Sequence, residues 1–161
     1  MKTALFPGSF DPFHNGHLEI VERASKLFDK IVVAAMRNPQ KGEALFDLAE
    51  RKQMIEDSVA GAGVRNVEVV SLARLVVDVA AEVRASAIIK GLRAVVDFEN
   101  EMQMAQMNHR LSGIDTLLMP TGPTTSFIAA KLIREVARYG GDVSELVPPP
   151  VARRLKEKFA P

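Results

Sequence analysis

Residues 4–17 read Ala-Leu-Phe-Pro-Gly-Ser-Phe-Asp-Pro-Phe-His-Asn-Gly-His, and the fold turns on how this stretch is read. Ala4-Leu5-Phe6 is a short apolar run with the character of a buried strand. Pro7-Gly8 and Asp11-Pro12 fix turns, and Gly16 lets the backbone approach a ligand closely. A helical period takes over at once: Leu18, Val21, Ala24 and Phe28 recur on one face, widened by Ile20 and Leu27. A helix starting near His17 aims its free N–H groups and positive dipole end at the strand tip, a place suited to a phosphate. Ser9 adds a hydroxyl, and His14 and His17 each add a ring donor. The plainer alternative is a strand-to-helix turn carrying two solvated histidines. Two histidines around a glycine at the head of the first strand favour the anion site. A metal site finds no third ligand at a suitable spacing.

Outward from this stretch the alternation repeats. Lys30 to Met36, Val67 to Val70, Ala87-Ile88-Ile89 and Thr116 to Met119 read as further strands, apolar throughout rather than alternating, as expected for parallel strands covered on both faces. Between them, Asp47 and Glu50 form a capping-box pattern ahead of Ile55 and Val59. Further helices are expected over Leu75 to Arg84, Asp97 to Leu111 and Ser126 to Tyr139. Five strands alternating with helices imply an α/β chain: a Rossmann-like, open, parallel five-stranded sheet with helices on both faces. Ligands of such sheets bind beyond the carboxyl ends of the strands. Pro148-Pro149-Pro150 is expected to end one element, and Val151 to Phe159 to form a short C-terminal basic helix against the body. No repeat or linker divides the chain, so residues 1–161 are read as a single domain.

Composition narrows the chemistry. The 161 residues carry 21 Lys plus Arg against 20 Asp plus Glu, a net charge of +1. No global field recruits nucleic acid or a membrane surface, so any anion site is local. Cysteine is absent, which excludes a disulfide scaffold, a thiolate zinc site and a cysteine nucleophile. Neither Gly-x-Gly-x-x-Gly nor Gly-x-x-x-x-Gly-Lys-Ser/Thr occurs, which argues against an ordinary dinucleotide dehydrogenase and a Walker-type NTPase. With no signal segment and no apolar run of spanning length, a cytoplasmic protein without a membrane or nucleic-acid partner is expected.

Gly8-Ser9-Phe10-Asp11-Pro12 followed by Gly16-His17 resembles the nucleotidylyltransferase superfamily. Lys90-Gly91-Leu92-Arg93, then Asp97-Phe98-Glu99-Asn100-Glu101-Met102-Gln103-Met104-Ala105, Met107-Asn108, Glu135-Val136-Ala137 and Gly141-Asp142-Val143 narrow the likeness to the bacterial phosphopantetheine adenylyltransferases over nearly the whole chain. The resemblance implies transfer of an adenylyl group from ATP to 4′-phosphopantetheine, with Mg2+ and a homohexamer. It also implies roles. His17 donates to the α-phosphate, and Ser9 and Phe10 touch phosphates. Lys41, Lys90, Ser9 and Val76 meet the acceptor. Gly91, Leu92, Arg93, Glu101 and the run Thr125-Ser126-Phe127-Ile128-Ala129-Ala130-Lys131 meet ATP. Lys41 read alone is a solvated loop lysine, and Glu101 fits a solvated helix face equally well. Lys90 and Arg93 read as two cations at a strand's end that call for an anion. Met102, Met104 and Met107 beside Phe98 read as core or subunit contact, and His109 as a surface residue.

Two departures from the family pattern stand out. His14 occupies a position that is usually Thr, and a full His-x-Gly-His is usual in nicotinate-mononucleotide adenylyltransferases, which makes that acceptor the runner-up. Ala129-Ala130-Lys131 replaces a run of serines, which opens a third reading, a non-catalytic nucleotide-binding relative.

Overall fold

A computed structural model describes residues 1–161. Five strands, β1 (Thr3–Gly8), β2 (Lys30–Met36), β3 (Val67–Leu72), β4 (Ala87–Leu92) and β5 (Thr116–Pro120), form one parallel sheet in the order β3-β2-β1-β4-β5. Six helices accompany them: α1 (Asn15–Ala24), α2 (Leu48–Gly61), α3 (Val76–Glu82), α4 (Val95–Ser112), α5 (Ala130–Arg138) and α6 (Pro149–Phe159). The expected Rossmann-like α/β architecture is present, and strands apolar on both faces are the reason it was readable. Alternate residues divide between two cores. Ala4, Phe6, Ile31, Val33 and Ala35 pack with Ile20, Ile55, Ile133, Val151 and Leu155 of α1, α2, α5 and α6. Leu5, Val32, Ala34 and Ile88 face the other way, onto Val79 and Ala80 of α3.

Several boundaries differ for physical reasons. The helix expected from Ser126 begins only at Ala130. The Glu19 carboxylate accepts from the Gly122 amide at 2.9 Å and from the Thr125 hydroxyl, so residues before it are held as turns. The proline run opens α6 rather than ending an element. Pro149 and Pro150 occupy its first positions, where a missing N–H and a fixed φ cost nothing. Leu27, assigned to the buried stripe of the first helix, lies beyond the end of α1 and is 67% exposed. The capping box at Asp47 and Glu50 forms as expected, with both reciprocal bonds under 3 Å.

Helix α4 is turned inside out. Asp97, Glu101, Ala105 and Asn108 are its half-covered stripe, whereas Val95, Val96, Phe98, Met102, Met104, Met107 and Leu111 are exposed, and none of its 18 residues is buried. No helix is long and apolar enough to cross a membrane.

Candidate active site

The β1–β4 ladder ends at Leu5 and Ile88, while β1 stays paired with β2 as far as Gly8 and Ala35. Pro7, with no N–H to give, stands just past the last β1–β4 rung. Chain order reverses here, between β1 and β4, and the sheet opens into a cleft of ≈ 1080 Å³. Seven cationic side chains line it (Arg37, Lys41, Arg51, Lys90, Arg93, Lys131 and Arg134) against four acidic ones. A chain that is nearly neutral as a whole therefore concentrates positive charge at one crevice.

His14 and His17 form the floor of this cleft as an unusual helix cap. His14 is the N-cap of α1, and its Nδ1 accepts from the amides of Gly16 (3.1 Å) and His17 (3.4 Å). Reciprocally, the His14 amide donates to Nδ1 of His17 at 3.1 Å. The two rings stack with centroids 3.6 Å apart. A Cβ on residue 16 would lie 2.9 Å from the His14 ring. The cap itself thus favours glycine at position 16, a reason additional to its place on the lining of the cleft. Phe13 stacks on His17, and Phe10 meets it edge-on at 4.9 Å. Phe10 sits in the left-handed region (φ 49°), and its ring covers Gly8, where any Cβ would lie 2.8 Å from it.

Because Nδ1 of each histidine is an acceptor, the proton of each neutral ring is on Nε2. Burial, and secondarily the Arg93 charge, lowers the His14 pKa to about 3. Burial, then His14, Arg93, Lys90 and Lys41, holds His17 well below the ordinary histidine range. His17 therefore presents a neutral, fixed N–H donor to the cleft. The reading of two solvated histidines is excluded for His14, which is 4% exposed.

The cations are held differently from the expectation. Lys90 and Arg93 are already met by carboxylates of the chain itself: Lys90 pairs with Glu101 at 3.4 Å, and Arg93 with Asp97 at 3.1 Å. The anions that these two cations call for are supplied, within the chain, by Glu101 and Asp97. Arg93 also donates to the Ile128 carbonyl at 3.1 Å, tying the turns before α5 to the end of β4. Lys41 ends a short 3-10 turn (Pro39–Lys41) capped by Asn38, in an exposed loop between β2 and α2.

Ser9, Phe10, His17, Lys41, Lys90, Gly91, Arg93, Glu101, Ala129, Ala130 and Lys131 all line the cleft. Leu92, Val76, Thr125, Ser126, Phe127 and Ile128 do not. Val76 packs toward the α3 core, Ile128 is 3% exposed in the opposite core, and Phe127 is 63% exposed. The Leu92 carbonyl accepts from the amide and hydroxyl of Thr121. Arg37, Arg51, Arg134 and Thr121 also line the cleft and went unassigned from the sequence. Arg37 directly follows β2, so the strand-end logic applied to Lys90 reaches it too. Arg134 follows Ala130 by one helical turn, on the same face. Arg51 carries no such signal.

No group of three or more acidic or histidine side chains is arranged to hold a metal. Asp97 and Glu101 are occupied by cations, and the Asp11 carboxylate by the amides of Leu45 and Phe46.

Comparison with known proteins agrees with this geometry. Residues 5–136 match the cytidylyltransferase-like family. The phosphopantetheine adenylyltransferase of Streptomyces coelicolor is 51% identical over 99% of this chain and 98% of that protein. The one from Frankia alni is 50% identical over 98% of each. Among solved structures, a Vibrio parahaemolyticus protein provisionally named nicotinate-nucleotide adenylyltransferase superposes with a TM-score of 0.70 at 17% identity, covering 100% of this chain and 98% of its own, a likeness of fold.

Proposed function

We propose that this chain, which belongs to the cytidylyltransferase-like family and within it to the phosphopantetheine adenylyltransferases, transfers the adenylyl group of ATP to 4′-phosphopantetheine, giving dephospho-coenzyme A and pyrophosphate. The observation that carries the reading is His17, a neutral N–H donor pinned at the floor of a cation-lined cleft. The attacking group is a phosphate, already anionic at neutral pH, so no general base is needed. What remains is to align two anions and to meet charge that builds on the α-phosphate and the leaving pyrophosphate. His17 Nε2–H donates to a non-bridging α-phosphate oxygen as that charge develops. Its ring is held by the His14 amide and the phenylalanine rings, so no reorganisation is required.

Lys41 and Lys90 hold the acceptor phosphate, with Ser9 between the two substrates. Arg93, Glu101 and the start of α5, with Lys131, face ATP. Binding exchanges internal partners for substrate: Lys90 leaves Glu101 as the acceptor's phosphate arrives. Mg2+ would be held by the phosphates of ATP and by its own waters rather than by a protein carboxylate cluster, and would spread the negative charge of the leaving pyrophosphate. The exposed apolar stripe of α4 is the face on which copies of the chain meet, in support of a homohexamer. Such an enzyme works in the cytoplasm, where its substrates are.

Pyrophosphate release, measured with ATP, Mg2+ and either 4′-phosphopantetheine or nicotinate mononucleotide, tests the function. Turnover is expected with the first acceptor only, and His17→Ala should lower kcat by about 10²–10³-fold with ATP affinity nearly unchanged. Turnover with neither acceptor would establish a non-catalytic nucleotide binder instead.

A further inference from the structure

Asp11 is one of the acidic residues lining the cleft, yet it is only 8% exposed and its carboxylate is held by main-chain donors. Its two oxygens accept from the amides of Leu45 (2.8 Å) and Phe46 (3.0 Å). These amides lie at the far root of the loop that carries Lys41. The near root is fastened by a second buried charge: the Arg51 guanidinium donates to the carbonyls of Met36 (3.2 Å) and Ser9 (2.7 Å). The main-chain carbonyl of Asp11 accepts from Arg134 of α5 at 2.6 Å. One residue in the turn after β1 therefore touches the loop bearing Lys41 through its side chain and the helix bearing Lys131 through its backbone.

Between the two roots the loop has little else to hold it. Residues 37–44 are exposed, and Phe46, fully buried, is the nearest apolar anchor. Both oxygens of this carboxylate are already engaged by backbone amides, and like charge sets it against a substrate phosphate. Its surroundings fit a device that sets where Lys41 stands.

We infer that Asp11 is a positioning residue: its carboxylate fixes the root of the Lys41 loop, and so sets Lys41 against the phosphate groups aligned by α5. This rests on the proposed role of Lys41 toward the acceptor phosphate. Asn at position 11 keeps the shape but offers one acceptor where two amides need it. The amide left over is unsatisfied and the loop root shifts. Misplacement of a binding group by about 1 Å is enough to slow a reaction by about 10²-fold.

The test is a double-mutant cycle of Asp11→Asn and Lys41→Ala, read by steady-state kinetics with both substrates and by ATP binding at equilibrium. Asp11→Asn alone should raise KM for the phosphorylated acceptor and lower kcat/KM about tenfold or more, leaving the ATP dissociation constant within about twofold. In the Lys41→Ala background the same substitution should have almost no further effect. Equal losses in both backgrounds overturn the inference. A Lys41→Ala variant with unchanged acceptor kinetics instead overturns the reading of Lys41 on which it rests. Should Asp11→Asn fail to fold, amide hydrogen exchange on the unaltered protein decides. Leu45 and Phe46 are expected to be protected well above residues 40–44, and exchange as fast as in those neighbours refutes the clamp.

Discussion

His14→Thr isolates what the stacked histidine cap does to stability. The His14 ring is neutral in the folded chain, with its pKa lowered from 6.5 to about 3 by burial and then by Arg93. Once the chain unfolds, the ring regains its ordinary value. Between those two values the unfolded state binds a proton that the folded state refuses, so stability must fall as the solution is acidified from near neutrality. Each pH unit in that window is worth about 1.4 kcal/mol per histidine. From about pH 8 to about pH 4.5, His14 alone therefore contributes a loss of about 2.7 kcal/mol, or roughly 5–11 °C in Tm for a chain of this size. Threonine caps the same helix end without titrating. It also fills less space, so the variant starts from a different stability at high pH, and the quantity to read is how the gap between the two proteins changes. Denaturant titrations at several pH values should show the variant gaining about 2.7 kcal/mol on the wild type over that range. His17 keeps its own acid-dependent loss in both proteins and cancels to first order. Parallel curves would refute the reasoning, because they would mean that His14 accepts a proton in the folded state without losing its bonds to the Gly16 and His17 amides. The same variant should keep its preference for 4′-phosphopantetheine, since a cap is what either residue supplies.

Lys131→Ala should raise the ATP KM by about threefold to tenfold at low salt, with a smaller effect at high salt, because the proposed ATP site sets this exposed cation beside the triphosphate; an unchanged constant removes Lys131 from the phosphate site. Met107→Lys combined with Val95→Lys places charge on two of the most exposed apolar positions of α4. Sedimentation should show the wild type as a hexamer and the variant as smaller, folded species, and a wild type that sediments as a monomer refutes the assignment of this face.

The strands, their order of appearance and the cleft's position were legible because burial on both faces leaves uninterrupted apolar runs, and because a turn-rich first loop marks the opening of the sheet. Lys90 and Arg93 stood out by lying at or just past a strand's end and His17 by its pairing with His14 around a glycine, whereas Lys41 stood out only through the family resemblance. Less was legible wherever a residue's purpose depends on a partner distant in sequence. Glu19 reads as one more charge on a helix, yet it organises turns 103 and 106 residues away. Asp11 belongs to a recognisable motif, but its partners are 34 and 35 residues on. Lys90 and Arg93 call for an anion; Asp97 stands four residues from Arg93, whereas Glu101, eleven residues from Lys90, is brought to it only because the next helix turns its polar stripe inward. His14 shows the opposite case. Its offset from Gly16 and His17 is that of an N-cap, so the substitution of Thr by His was open to a capping explanation before any question of substrate arose.

The first turn of α1 has one more attachment. The Asn15 amide and side chain donate to the carbonyls of Leu146 (3.0 Å) and Glu145 (2.9 Å), and Val147 and Val151 seal the core beneath. The helix whose first turn carries His17 is thus closed by a segment 130 residues further along. A ribosome delivers the pieces of this cleft in order, and the floor is made first but finished last. Truncation before residue 143 would remove the Leu146 and Glu145 carbonyls that accept from Asn15, and with them the closure of the helix start that carries both histidines.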